Sequence, residues 1–227
     1  MIFVVFVVVI LVVVFGPGLW VQRVLDRYSV PADRYSGTGG SLARHLLDRY
    51  GRQDVQVEAT DQGDHYDPEA KVVRLTEDKF TGRSLTAITV AAHEVGQALQ
   101  DHECYAPLRL RTRMVKATRG IEKIGAGVLV IAPYLGIITR APGLSLITFA
   151  EGMVTLGTAA VVHFVTLPTE FNASFARALP ILDEHRILKP VVRQHARLLL
   201  TAAALTYVSA SLMSLLNIAG WLAILRR

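Results

Sequence analysis

The sequence predicts a mainly α membrane protein, with about four transmembrane helices plus a small α+β domain. Three observations point there. Hydrophobic residues make up 52% of the 227 positions and mean hydropathy is positive, an apolar share above that of ordinary soluble domains. The apolar residues gather into long uninterrupted stretches. Between the first and second of these lies a polar region, 23–119, in which helical and strand periodicities alternate.

Ile2 to Phe15 carries no polar side chain, and continuing to Val21 reaches the ~20 residues that cross hydrocarbon. A cleaved signal peptide is the competing reading. No basic segment precedes the run, no small-x-small cleavage site follows it, and Arg23 comes at once, so residues 1–22 are expected to be an anchor. Ile124 to Ile138 and Leu144 to Leu167 are separated only by Thr139 to Gly143, where Pro142-Gly143 suits a tight turn; residues 120–168 therefore read as a transmembrane helical hairpin. A helical segment, 169–197, leads into a last apolar stretch within 198–227, Leu198 to Leu225. Its Ala202, Ala203, Ala204, Ser209, Ala210 and Ser211 allow close helix approach.

Fifteen of the 24 basic residues fall between Arg23 and Arg119, and five more between Arg177 and Arg197. The positive-inside tendency puts both segments in the cytoplasm and both termini outside. This distribution accounts for the formal charge of +5 and argues against nucleic-acid binding; the lipid bilayer is the expected partner. The single cysteine, Cys104, excludes an intramolecular disulfide, and nothing in cysteine spacing suggests a thiolate metal site. A two-span hairpin returns the chain to the side it left, so residues before 120 and after 168 can meet in one site.

Within 23–119, Ser41 can cap a helix whose Leu42, Leu46, Leu47 and Tyr50 share a face, with Gly51 placed to end it. Val55, Val57 and Ala59 alternate as in a half-buried strand, Asp64 to Ala70 reads as a turn-rich connection, and Lys71 to Leu75 as a second strand, the two suiting a small hairpin. Ser84 caps a helix to about Asp101, with Leu85, Ile88, Ala92, Val95 and Leu99 on its packing stripe. His93 and Gln97 share a different face, roughly 150° around; for Gln97 alone solvation is the plain expectation.

His93-Glu94-Val95-Gly96-Gln97 differs by one residue from H-E-x-x-H, in which two imidazoles one turn apart bind zinc and the Glu is base to the bound water. Three fixed letters in five arise often by chance. Four longer blocks add specificity: Asp64 to Pro68, Ala91 to Gly96, Leu167 to Ser174 and Ala202 to Val208. Together and in this order they resemble the bacterial membrane-bound neutral zinc metallopeptidases of the YugP type, over nearly the whole chain.

The resemblance implies a zincin-like domain over 23–119, with two His of the motif helix and a Glu from a later helix holding zinc. Carried over by position, His93 is the first ligand, Glu94 the general base and Glu170 the third ligand. Pro168 suits a first helical turn, and Ser174, four residues beyond Glu170, can support the site from behind. By itself Glu170 reads as a solvated carboxylate at a membrane edge. Gln97 stands where the family has its second His, and an amide oxygen is a much poorer zinc donor than imidazole. His65, His102 and His163 are the substitutes to weigh, and Glu151 and His163 fall within the third apolar stretch, where ionisable groups mark function. The implied activity is peptide-bond hydrolysis by zinc-activated water, impaired at Gln97, on a peptide or protein substrate at the bacterial inner (plasma) membrane. The alternative is a non-catalytic membrane adaptor that binds polypeptides with a degenerate peptidase fold. A peptide adding to the Lys71 to Leu75 strand as a sheet edge would be read through its backbone.

Overall fold

The computed structural model describes residues 2–31, 33–118, 161–162, 164–184, 187–188 and 192–205, with side chains in the first helix described at Val12 and from Phe15 onward. In chain order the elements are α1 (Ile2–Tyr28), α2 (Gly39–Arg49), β1 (Gln56–Thr60), β2 (His65–Asp67), β3 (Val72–Thr76), α3 (Glu77–Phe80), α4 (Leu85–His102), α5 (106–118), α6 (164–171), a π-helical segment (Asn172–Ala178), α7 (Leu179–Glu184) and α8 (193–205).

Helix α4 is the axis. Ser84 is its N-cap, and the Ser84 hydroxyl accepts from the Ala87 amide at 3.1 Å, satisfying a backbone donor that the helix start leaves open. Every residue from Leu85 to Gln100 is buried. The expectation of one packing face and one polar face is thus revised: both faces are covered, with α2 and the sheet on one flank and the π segment and α7 on another. Gly96 permits the closest approach, since a Cβ there would lie 2.8 Å from the Ala173 carbonyl oxygen. Helix α2 starts from Thr38 rather than Ser41; the Thr38 hydroxyl accepts from the Ser41 amide at 3.1 Å. Gly51 takes φ +68° just after it, the left-handed conformation that suits a helix terminator.

The sheet has the order β1-β3-β2, with β3 parallel to β1 and antiparallel to β2. The expected hairpin of two strands is therefore replaced by a parallel pair joined through a short third strand, inside the segment read as turns. β3 is central and paired on both sides, so the idea of Lys71 to Leu75 as a peptide-accepting edge is corrected: β2 holds an edge. Val73 and Leu75 bury completely in a core shared with Leu46, Leu47, Ile88 and Val95.

The expected membrane architecture is also corrected. Among the described residues no helix is long and apolar enough to cross a membrane, so about four transmembrane helices do not describe this structure; what it describes is mostly helical with a small sheet. In α1 the described side chains run on into Arg23, Asp26 and Arg27. Val21 and Val24 are buried in the shared core, and the Leu25 carbonyl accepts from Thr86 Oγ1 of α4 at 2.8 Å. Of the other expected spans, 124–138 lies outside the described residues, as do 144–160 and 206–225, together with Glu151 and His163.

Candidate metal centre

Two elements far apart in sequence build the site. Helix α4 offers His93, Glu94 and Gln97; α6 and the π segment that continues it offer Glu170 and Ser174. His93 is 3% exposed, Gln97 3%, Glu94 5% and Glu170 1%, which rules out a solvated Gln97 and a solvated Glu170. Pro168 lies within α6 rather than in a first turn. The wide π turn begins directly after α6, and such turns recur at functional sites.

One imidazole is gripped at both nitrogens. Ser174 Oγ lies 3.0 Å from His93 Nδ1 and 3.2 Å from the Leu200 carbonyl oxygen. The hydroxyl hydrogen goes to that carbonyl, so Ser174 accepts from Nδ1–H and Nε2 faces the site. Around Nε2 stand Glu170 Oε2 at 3.0 Å and Gln97 Nε2 at 3.2 Å, with 3.1 Å between those two atoms. The amide oxygen points the other way and accepts from Arg111 Nη1 of α5 at 3.3 Å. The same guanidinium nitrogen lies 3.7 Å from Glu170 Oε1.

Burial opposes charge on His93, but the Glu170 hydrogen bond and the Glu94 and Glu170 carboxylates outweigh it, and the imidazole is pushed above its usual range. Glu94 is pushed up to about 7, chiefly by burial, with Glu170 and Asp64 adding to the shift and His93 and Arg111 opposing it. Glu94 Oε2 and Glu170 Oε1 are buried without a hydrogen-bond partner among the described residues. Glu170 Oε1 has the Arg111 guanidinium at 3.7 Å, whereas Glu94 Oε2 is a buried oxygen that a proton would relieve.

The three inner atoms are spaced like one face of a small coordination tetrahedron, since ligands ~2.1 Å from a common ion stand a little over 3 Å apart. Their chemistry is the obstacle. Two corners are metal donors, and the third presents an amide N–H, which cannot coordinate. Among the described residues no three His, Cys, Asp or Glu side chains converge to hold an ion. As they stand, these residues do not fit a catalytic zinc, which takes three protein donors. Among the described residues the substitutes, His102 and His65, do not repair this. His102 Nδ1 accepts from Arg52 at 2.6 Å on the exposed end of α4, and His65 Nδ1 donates to the Gly63 carbonyl at 2.8 Å. Arg111 was not singled out from sequence; it is one of five bases between Arg109 and Arg119, and nothing local marks it as the one that turns inward. Gln100, wholly buried and donating to the Thr169 carbonyl at 2.8 Å and Asn172 Oδ1 at 2.9 Å, was likewise missed; it ties α4 to the stretch that carries Glu170.

Beside this cluster is a cleft of about 240 Å³. β2 with Pro68 and Glu69 forms one wall, and Arg111, Val115 and Lys116 form the other; Lys116 pairs with Glu69 at 2.6 Å.

Residues 3–226 match the family described as putative neutral zinc metallopeptidase. The chain is also 36% identical over 210 residues to the putative membrane protease YugP of Bacillus subtilis (strain 168), covering 89% of each. No solved structure matches it. The chain belongs to the neutral zinc metallopeptidase family.

Proposed function

Starting from membership of that family, we propose that the chain is a peptidase-type protein that takes a polypeptide beside Glu94 and whose zinc-dependent hydrolysis is impaired at Gln97. One observation carries the reading: the third corner of the His93–Glu170 cluster is an amide with its N–H groups turned inward. Glu94 supports the hydrolytic ancestry, since a carboxyl at about 7 is matched to proton transfer near neutrality. The edge strand β2 and its cleft suit an extended peptide, read mainly through its backbone. The relative's name is that of a membrane protease; we extend membrane association to this chain, without any count of spans, and sedimentation with membranes after alkaline washing checks it.

The test is metal content and peptidase activity of the full chain beside Gln97→His. The unaltered protein is expected to hold well under one zinc per chain and to cleave weakly or not at all. The variant is expected to gain affinity on the order of a hundredfold or more, since loss of a mere supporting contact already costs 10–100-fold. One tightly held zinc per chain in the unaltered protein overturns the reading.

A second reading, binding without cleavage, is favoured by Arg111: its guanidinium lies near both Gln97 and Glu170 and supplies positive charge within the cluster. Glu94→Gln separates the two readings. Full complementation of a deletion strain by this variant supports binding alone, and failure to complement supports hydrolysis.

A further inference from the structure

An amide can present either end after a half-turn of its last torsion, and the surroundings of Gln97 select one. Inward, Nε2 donates to Glu170 Oε2 at 3.1 Å and lies 3.2 Å from His93 Nε2; outward, Oε1 accepts from Arg111 Nη1 at 3.3 Å. The half-turn would bring the amide oxygen to His93 Nε2, where a protonated ring can donate to it, but it would also set that oxygen against carboxylate oxygen on the inside and amide N–H against guanidinium N–H on the outside. The carboxylate and guanidinium contacts would both be repulsive.

A metal ion changes only the first. With a cation between them, the inward amide oxygen and the Glu170 carboxylate become two donors to one ion, and their repulsion is relieved. The outward clash persists, because Arg cannot surrender a proton and has no acceptor to offer. We infer that Arg111 is a positioning residue that holds the Gln97 amide with its N–H groups inward and so closes the third corner of this site to zinc. The inference rests on the reading that the Gln97 site is zinc-poor. It is separable from plain charge repulsion between guanidinium and metal, which acts whatever residue stands at 97.

That separation is the experiment. Zinc affinity is measured by competition with a chromophoric chelator for the full chain, Arg111→Met, Gln97→His and the double variant, with thermal melts to confirm folding. If Arg111 acts through the amide, Arg111→Met raises zinc affinity by about tenfold more in the Gln97 background than in the Gln97→His background, where there is no amide to turn. Arg111→Gln serves if the Met variant does not fold, since its side chain can offer an oxygen to a turned Gln97; the same excess is expected. Equal gains in the two backgrounds, or no gain in either, overturn the inference while leaving the zinc-poor reading intact. Stoichiometric tight zinc in the unaltered chain defeats that reading instead.

Discussion

On the sheet, Arg74 meets Glu58 at 2.6 Å and Asp67 at 3.1 Å, with 28–47% of each side chain in solvent. Between α4 and the end of α6, His93 meets Glu170 at 3.0 Å with 4% and 1% exposed. The distances are alike and the consequences are not. Water screens the first group and can replace any member of it. The second is sealed, so each charge depends on the particular neighbours it has, and removing one leaves the others stranded in a poor solvent.

The sharpest way to break this contrast is Glu170→Ala. It strips His93 and Arg111 of a buried carboxylate and is expected to cost about 3–5 kcal/mol, read as a fall in chemical or thermal midpoint. A loss below about 1 kcal/mol would show that water reaches the cluster. Next comes pH. Glu94, raised to about 7, and His93, raised above 6.5, both keep protons in the folded chain that the unfolded chain has lost. Stability of the metal-free protein therefore falls as pH rises: over about 4.5 to 7 for Glu94, and above 6.5 for His93. The Glu94 part amounts to a few kcal/mol, and Glu94→Gln is expected to flatten the lower limb of a stability-against-pH curve. An unchanged slope contradicts the burial argument. Smallest is Glu58→Ala on the sheet, expected within about 1 kcal/mol of the unaltered chain and shrinking further in salt.

The same contrast explains what was legible in the sequence. His93 and Glu94 stand out because a pentapeptide on one helix is a local pattern, and Ser84 and Gly51 do because caps and left-handed terminators are local too. Glu170 became a candidate only through block resemblance, since nothing near it in the chain says that it will face α4. Arg111 and Gln100 were invisible for a related reason: an Arg in a basic run and a Gln on a helix look solvated until the opposing surface is known. The strand β2 was hidden by its three residues, read as part of a turn, and so the parallel pairing of β1 with β3 was missed. The membrane-spanning fold expected from hydropathy is not what the described helices form; composition reports how much apolar surface there is, and not what covers it.

The wide turn at Asn172–Ala178 has a consequence for how such a site is lost or gained. Glu170 lies just before it, and Ser174 and Arg177 within it. An α-helix turns about 100° for each residue and a π turn somewhat less, so adding or deleting one position there would swing the downstream side chains, Ser174 first, away from His93 while every donor stayed chemically the same. Pairwise comparison of aligned donors would miss such a change; the spacing between Glu170 and Ser174 is as much a part of the site as the letters themselves.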